Sequence, residues 1–229
     1  LIAFDGFKRK FDGLRASLQT ISFYDELCIQ RRFIMKSWVK GRALVKSTLS
    51  GGAFLALALS GGVHGDSFSL SSEDIKAQTM MPKAQEFNGF GCEGGDTSPH
   101  LAWSGAPAGT KSFAITVYDP DAPTGSGWWH WQLVNIPVSV TQLAKGAGQP
   151  NSTNAPIGSQ HVANDYGMKG FGGACPPKGH GVHRYQFTVH ALAVEKLELP
   201  ENASGALAGY MINANSLATS SIEALYQRD

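Results

Sequence analysis

The chain has little of several things, and each shortage narrows what it does. Only three of its 229 residues are cysteine. None has a partner at Cys-x-x-Cys spacing, which argues against a structural zinc site. No apolar run reaches the roughly 20 residues a membrane-spanning helix requires; the stretch from Leu49 to Leu59 falls well short. There is no Gly-x-Ser-x-Gly elbow to present a nucleophilic serine. Internal repeats, low-complexity tracts and a domain linker are also missing.

Basic charge is scarce once the first 65 residues are set aside. That segment carries ten of the 19 Lys and Arg but only four of the 18 Asp and Glu, so the remaining 164 residues have a formal charge of −5. An acidic domain is a poor fit for nucleic acid or for an anionic membrane surface, where basic patches dominate binding. Its length suits one domain with a real core.

The first methionine is Met35, and residues 1–34, of mixed charge, read as an upstream extension. Residues 35–65 read as a secretory signal. Lys36, Lys40, Arg42 and Lys46 precede the apolar run, and Gly61-Gly62-Val63-His64-Gly65 supply small residues before a cleavage point. A short buried helix is the alternative. Residues 66–229 are then the exported domain, periplasmic or secreted. It keeps two cysteines, Cys92 and Cys175, each in a glycine-rich loop. An even count in an oxidising compartment favours a disulfide over two free thiols.

Along that domain, an early strand is expected around Phe68 or Ile75, and Glu86 to Ser98 reads as a loop. Leu101 to Trp103 is a short strand. Phe113, Ile115 and Val117 alternate with Ala114, Thr116 and Tyr118, the period of a half-buried strand. Trp131 to Ile136 continues the next one. The Gly- and Pro-rich stretch from Asn151 to Gly181 is too long for an idle loop in a compact domain. Tyr185, Phe187, Val189 and Ala191 alternate again. Ser204 can cap a helix to about Asn213, and Ser221 to Tyr226 is a last strand.

The chemistry concentrates at Asp119-Pro120-Asp121-Ala122-Pro123, followed by Trp128-Trp129-His130-Trp131. Proline fixes its own φ and biases its predecessor toward extended geometry, so the two carboxylates sit on a rigid turn. A hairpin-like return brings His130 back toward them. Period-2 geometry puts Trp128 and His130 on one side, opposite Trp129 and Trp131, and puts His183 with Tyr185. A second rigid loop, Pro176-Pro177-Lys178-Gly179, leads into His183. Backbone N–H groups of Gly173, Ala174 and Cys175 are candidates for an anion nest beside it. The tryptophans read as core and pocket wall. His100, His161, His180 and His190 have no evident partners and read as ordinary surface or loop histidines.

These motifs, with Gly91-Cys92-Glu93-Gly94-Gly95-Asp96-Thr97-Ser98-Pro99 and His183-Arg184-Tyr185, resemble the phosphatidylethanolamine-binding protein family, most closely its bacterial Raf-kinase-inhibitor-like branch. The resemblance runs from about Phe87 to the C-terminus. It implies a mainly β fold, a sandwich of two antiparallel sheets in Greek-key order with a C-terminal helix beside an anion pocket. It implies that Asp119, His130, His183 and Tyr185 form the anion site, with Asp121 as the second aspartate of the motif and Pro176 and Pro177 at its edge. Cys175 stands where eukaryotic members have a glycine. No cofactor is implied.

The leading functional reading is a non-enzymatic module that binds a small anionic ligand or a phosphorylated partner. Asp119 then orients and partly protonates His130, and phosphate affinity weakens as pH rises through the histidine range. A hydrolase using Asp119, His130, His183 and Ser98 is one alternative. A metal site on Asp119, Asp121, His130 and His183 is another. Kinase inhibition is not transferred, because fold does not fix function. N-terminal sequencing of exported material is expected to begin at Asp66; a mature chain that still carries Met35 would refute the signal.

Overall fold

The computed structural model describes residues 67–150 and 152–229. The upstream extension, the signal segment and Asp66 lie outside the described residues. Among the described residues, ten strands form three antiparallel sheets. The central one has the order β10-β9-β5-β6-β8, from Ser216–Tyr226, His183–Leu192, Ser112–Asp119, Trp128–Pro137 and Gln160–His161. Its run β9-β5-β6-β8 is the spatial order of a Greek key, with the late strand returning beside the first. A smaller sheet pairs β1 (Ser69–Ser71), β4 (Leu101–Ser104) and β7 (Gln142–Leu143). The third is a hairpin of β2 (Asn88–Gly89) and β3 (Cys92–Glu93).

The two larger sheets clasp the main core. Leu101, Trp103 and Leu143 from one side meet Phe113, Ile115, Val117, Leu133 and Phe187 from the other. The far face of the central sheet is covered too. Helix α1 (Gly205–Asn215) and the segment holding Leu197 bury Ala114, Val134 and Leu192 there. Ser204 caps the helix, its Oγ accepting from Leu207 N at 3.2 Å. Gly205 leaves room for an indole, since a Cβ there would lie 2.6 Å from the Trp129 ring.

This double cover corrects the half-buried reading of β5. Ala114 and Thr116 are as enclosed as Ile115 and Val117, because the helix and the Leu197 segment cover Ala114 and His190 meets Thr116 on that side. The last strand begins at Ser216, directly after the helix. The β2–β3 hairpin falls inside the expected loop, where its few residues offer no period to detect. It is tied to the long loop by a Cys92–Cys175 disulfide.

A further correction comes from a bulge. Val117 pairs with Trp131 and Tyr118 with Trp129, which leaves His130 as an extra residue. Such an insertion re-aims the side chains around it. Trp131 therefore enters the main core on the His130 side, whereas Trp129 lies against the helix.

His190 is not a surface residue. It is 7% exposed, with Nε2 3.0 Å from Thr116 Oγ1 and Nδ1 3.5 Å from Ser216 Oγ. Burial lowers its pKa to about 4. A histidine depressed on folding lowers stability as pH falls, from its unfolded value near 6.5 down to the folded one, by about 3 kcal/mol in all. Urea unfolding of the native protein and His190→Gln between pH 4 and 7 is expected to show the gap between them changing by that order. Parallel profiles would refute it.

Candidate functional site

Three strand ends and two loops meet at one end of the central sheet around a cavity of about 290 Å³. Asp119 closes β5, Trp128 and His130 open β6, and His183 and Tyr185 open β9; all five line the cavity. The loop Ala122-Pro123-Thr124 forms one wall and Cys175-Pro176-Pro177 another. Phe90 and Tyr166 complete it.

Asp119 is 2% exposed and His183 1%. Oδ2 of Asp119 accepts from Nδ1 of His183 at 2.7 Å, and Oδ1 accepts from Asp121 N at 2.8 Å. The acceptor is a carboxylate, so the hydrogen of His183 is on Nδ1. Its Nε2 lies 2.7 Å from Nδ1 of His180. The aspartate therefore orients His183 rather than His130. His180, read from sequence as an ordinary loop histidine, takes the ring's other nitrogen. Both histidines sit across from each other on the approach to β9, a relation that spacing of three residues does not reveal without the turn between them.

His130 is held differently. Its Nδ1 donates to the carbonyls of Gly172 at 2.8 Å and Gly173 at 3.1 Å, which fixes that tautomer. Burial holds its pKa below the ordinary range, only partly opposed by the Gly172 carbonyl and the Asp119 charge. The ring packs edge-on against Tyr185 and Tyr166. Tyr185 is 1% exposed, and its hydroxyl lies close enough to the Asp119 carboxylate to feel its charge but makes no hydrogen bond of ordinary length within the protein. Burial first, and then the nearby Asp119 charge, push the phenol's pKa well up. The indole N–H of Trp128 is likewise buried without a partner.

Two expected site residues stand elsewhere. Asp121 does not line the cavity. It grips Arg184 by two side-chain bonds of 2.9 and 2.7 Å and also accepts from Arg184 N at 2.9 Å. That contact, foremost the side-chain bonds, holds its carboxyl below the usual range. Gly173 contributes no nest: its N–H donates to Asp96 Oδ1 at 2.7 Å, and Ala174 N donates to Gln85 O at 3.0 Å. Glycine is needed there for close approach, since a Cβ would run into the Gln85 carbonyl. Pro176 and Pro177 do line the cavity, as expected.

The hydrolase and metal arrangements do not assemble. Ser98 is fully buried away from the cavity, its Oγ accepting from Gly148 N at 2.8 Å. With Asp121 on Arg184, the four residues of the metal reading do not share one point. Among the described residues no cluster of three or more His, Cys, Asp or Glu has metal-site geometry.

Sequence reasoning missed Tyr166 and Phe90. Tyr166 donates its hydroxyl to Gly173 O at 3.0 Å and stacks on Phe87 at 4.0 Å. Its signal was slight, an aromatic within a long loop already suspected of function. Phe90 occupies the hairpin turn with φ +51°, beside Gly91 at +77°. Two positive φ values suit a two-residue turn that usually takes Asn-Gly.

Residues 71–227 match the family model for phosphatidylethanolamine-binding protein. The protein named UPF0098 protein YbcL from Escherichia coli K12 is 56% identical over 161 residues, 70% of this chain and 88% of the relative. UPF0098 protein YbhB of the same organism is 48% identical over 157 residues, 69% and 98% of the two chains. The crystal structure of E. coli YbcL superposes with a TM-score of 0.70, covering 71% of this chain and 99% of that one. The chain belongs to the phosphatidylethanolamine-binding protein family.

The two aspartates of the motif differ in burial, so they differ in what their loss costs. Asp119→Ala strips two buried hydrogen bonds and is expected to destabilise by about 3 kcal/mol or more. Asp121→Ala removes a half-exposed ion pair and is expected to cost much less. Chemical denaturation of both variants checks this, and equal losses would refute it.

Proposed function

We propose that this protein is an exported, non-enzymatic binding module for a small anionic group of the phosphate type. The observation that carries the reading is a pair of buried donors without partners, the Tyr185 hydroxyl and the Trp128 indole N–H, on residues that line one cavity with His130. A buried donor left unpaired is costly, and an acceptor of matching geometry relieves it. The oxygens of a phosphate or carboxylate are such acceptors. Two points support a binding role over turnover. Cys175 is held in the disulfide, and the Thr124 hydroxyl is engaged with the Gly127 carbonyl. The raised phenols of Tyr166 and Tyr185 are poor nucleophiles. Export is supported by the signal-like segment before Asp66 and by the disulfide, which persists in oxidising compartments. Among the described residues no helix is long and apolar enough to cross a membrane.

His130 refines how the anion is held. With its pKa lowered and its Nδ1–H on carbonyls, the ring is neutral near pH 7 and offers a lone pair at Nε2. A singly protonated phosphate donates its own O–H there and accepts from Tyr185 and Trp128. Above the second pKa of inorganic phosphate, which lies higher than the value of about 6 for a phosphoryl ester, binding must take up a proton, so affinity falls by about tenfold per pH unit. Sulfate carries no proton in this range. Its proton must reside on His130, so its affinity declines from a lower pH, below the ordinary histidine value of about 6.5.

Calorimetry with inorganic phosphate and with sulfate from pH 5 to 8 is expected to show these two separated declines. His130→Ala and Tyr185→Phe are expected to weaken phosphate by about tenfold or more, the range of a hydrogen bond to a charged group. Unchanged affinity in both variants would remove the site from these residues. Hydrolysis of a phosphate ester that disappears in His130→Ala would favour the enzyme reading instead.

A further inference from the structure

The cavity is larger than a bare anion needs and most of its wall is apolar. Its volume of about 290 Å³ stands against roughly 30 Å³ for one water in the liquid. Beyond the polar end at His130 and Tyr185, the wall is built from Trp128, Tyr166, Phe90, Pro176, Pro177 and Ala122.

Phe90 is the anomaly among these. It is 74% exposed, so its ring gains little from burial. It holds a left-handed backbone conformation that bulky residues avoid, in a turn whose first position favours asparagine. A residue that is wrong for its local structure and unrewarded by the core points to a role outside folding. Its ring lies nearly parallel to Tyr166, 24° apart with centroids at 5.6 Å, and to Phe87, 28° apart at 5.9 Å. Tyr166 in turn meets Trp128 edge-on at 5.2 Å. Phe90 flanks the closely stacked Phe87–Tyr166 pair at nearly equal distance from each, and it is the exposed member of this aromatic cluster beside the cavity. The Cys92–Cys175 disulfide ties the hairpin that carries Phe90 to the loop that carries Pro176 and Pro177, so the two sides of the mouth are fixed relative to each other.

Resting on the anion-site reading above, we infer that Phe90 and Tyr166 form a second subsite that takes a planar ring, so that the ligand is a phosphate-type anion esterified to an aromatic group. The anion occupies the donors at the inner end. The ring packs on the aromatic cluster at the mouth, in the offset parallel arrangement aromatic faces prefer.

Four ligands and two variants test this by calorimetry: inorganic phosphate, phenyl phosphate, cyclohexyl phosphate and n-butyl phosphate, against the native protein, Phe90→Asn and Phe90→Leu. Asparagine suits the turn, so Phe90→Asn is expected to keep the native melting temperature, and Phe90→Leu keeps apolar bulk without a flat face. Phenyl phosphate is expected to bind the native protein about tenfold more tightly than inorganic phosphate, the order one aromatic contact supplies, and more tightly than either saturated ester. Both variants should lose that preference while inorganic phosphate affinity stays unchanged. Equal affinity for phenyl and cyclohexyl phosphate, or a phenyl preference that survives in Phe90→Asn, would overturn the ring subsite and leave the anion site standing. If none of the four ligands bound the native protein, the anion site would fall and this inference with it.

Discussion

The middle of the central sheet is covered on both faces, and much of the molecule follows from that constraint. Strands β5 and β6 and the second half of β9 run between the main core and the layer over its far face, so nearly every side chain there must be apolar or internally satisfied. Polar groups along them find each other, as Thr116 and His190 do across β5 and β9, bond to the covering segments, as Gln132 and Asn135 do, or collect at the strand ends. Asp119, His130 and His183 are at those ends. Buried charge without a partner is not tolerated there, and so Asp119 meets His183 while His130 meets the carbonyls of Gly172 and Gly173. The cavity lies where the sheet stops being able to exclude polar atoms.

Much of this was legible in the residues. The alternation of Tyr185, Phe187, Val189 and Ala191 located β9, and Ser204 marked the start of the helix. The proline-clamped turn at Asp119 and the paired prolines at 176 and 177 pointed to two walls of one pocket. What was not legible lies in the relations between distant segments. One inserted residue at His130 reversed the side on which Trp131 was expected, and nothing in Trp-Trp-His-Trp announces a bulge. The choice of Asp119 between two histidines depends on the pairing of β5 with β9, a contact across 64 residues. The cover over Ala114 and Val134, from the helix and the Leu197 segment, is likewise a tertiary fact, and it turns a half-buried pattern into a fully buried strand.

Asp121 and Gly173 illustrate why motif membership does not equal site membership. Both lie in stretches that carry the family resemblance, and both are held in place by structure. Asp121 braces the turn by reaching Arg184 on β9, which keeps Asp119 aimed inward. Gly173 lets the long loop approach the Gln85–Phe87 segment closely enough for Ala174 to exchange backbone bonds with it. Their role in the fold is positional: they set the walls against which the cavity's polar side chains are arranged.

The segment from Gly172 to Pro177 joins these parts. Its carbonyls fix the tautomer of His130, and the Gly173 carbonyl also receives the Tyr166 hydroxyl. The Gly173 N–H is anchored on Asp96. Cys175 is bonded to Cys92, and the guanidinium of Arg228 reaches its sulfur at 3.4 Å and the Pro176 carbonyl at 3.3 Å. A loop restrained from so many directions has little conformational freedom to lose when a ligand arrives, which is the condition under which a few well-placed donors yield useful affinity. The same restraint explains why a glycine-rich segment, flexible by composition, serves as a fixed wall. Glycine here permits close packing, and the packing, with the disulfide and the hydrogen bonds around it, removes the freedom that glycine would otherwise confer.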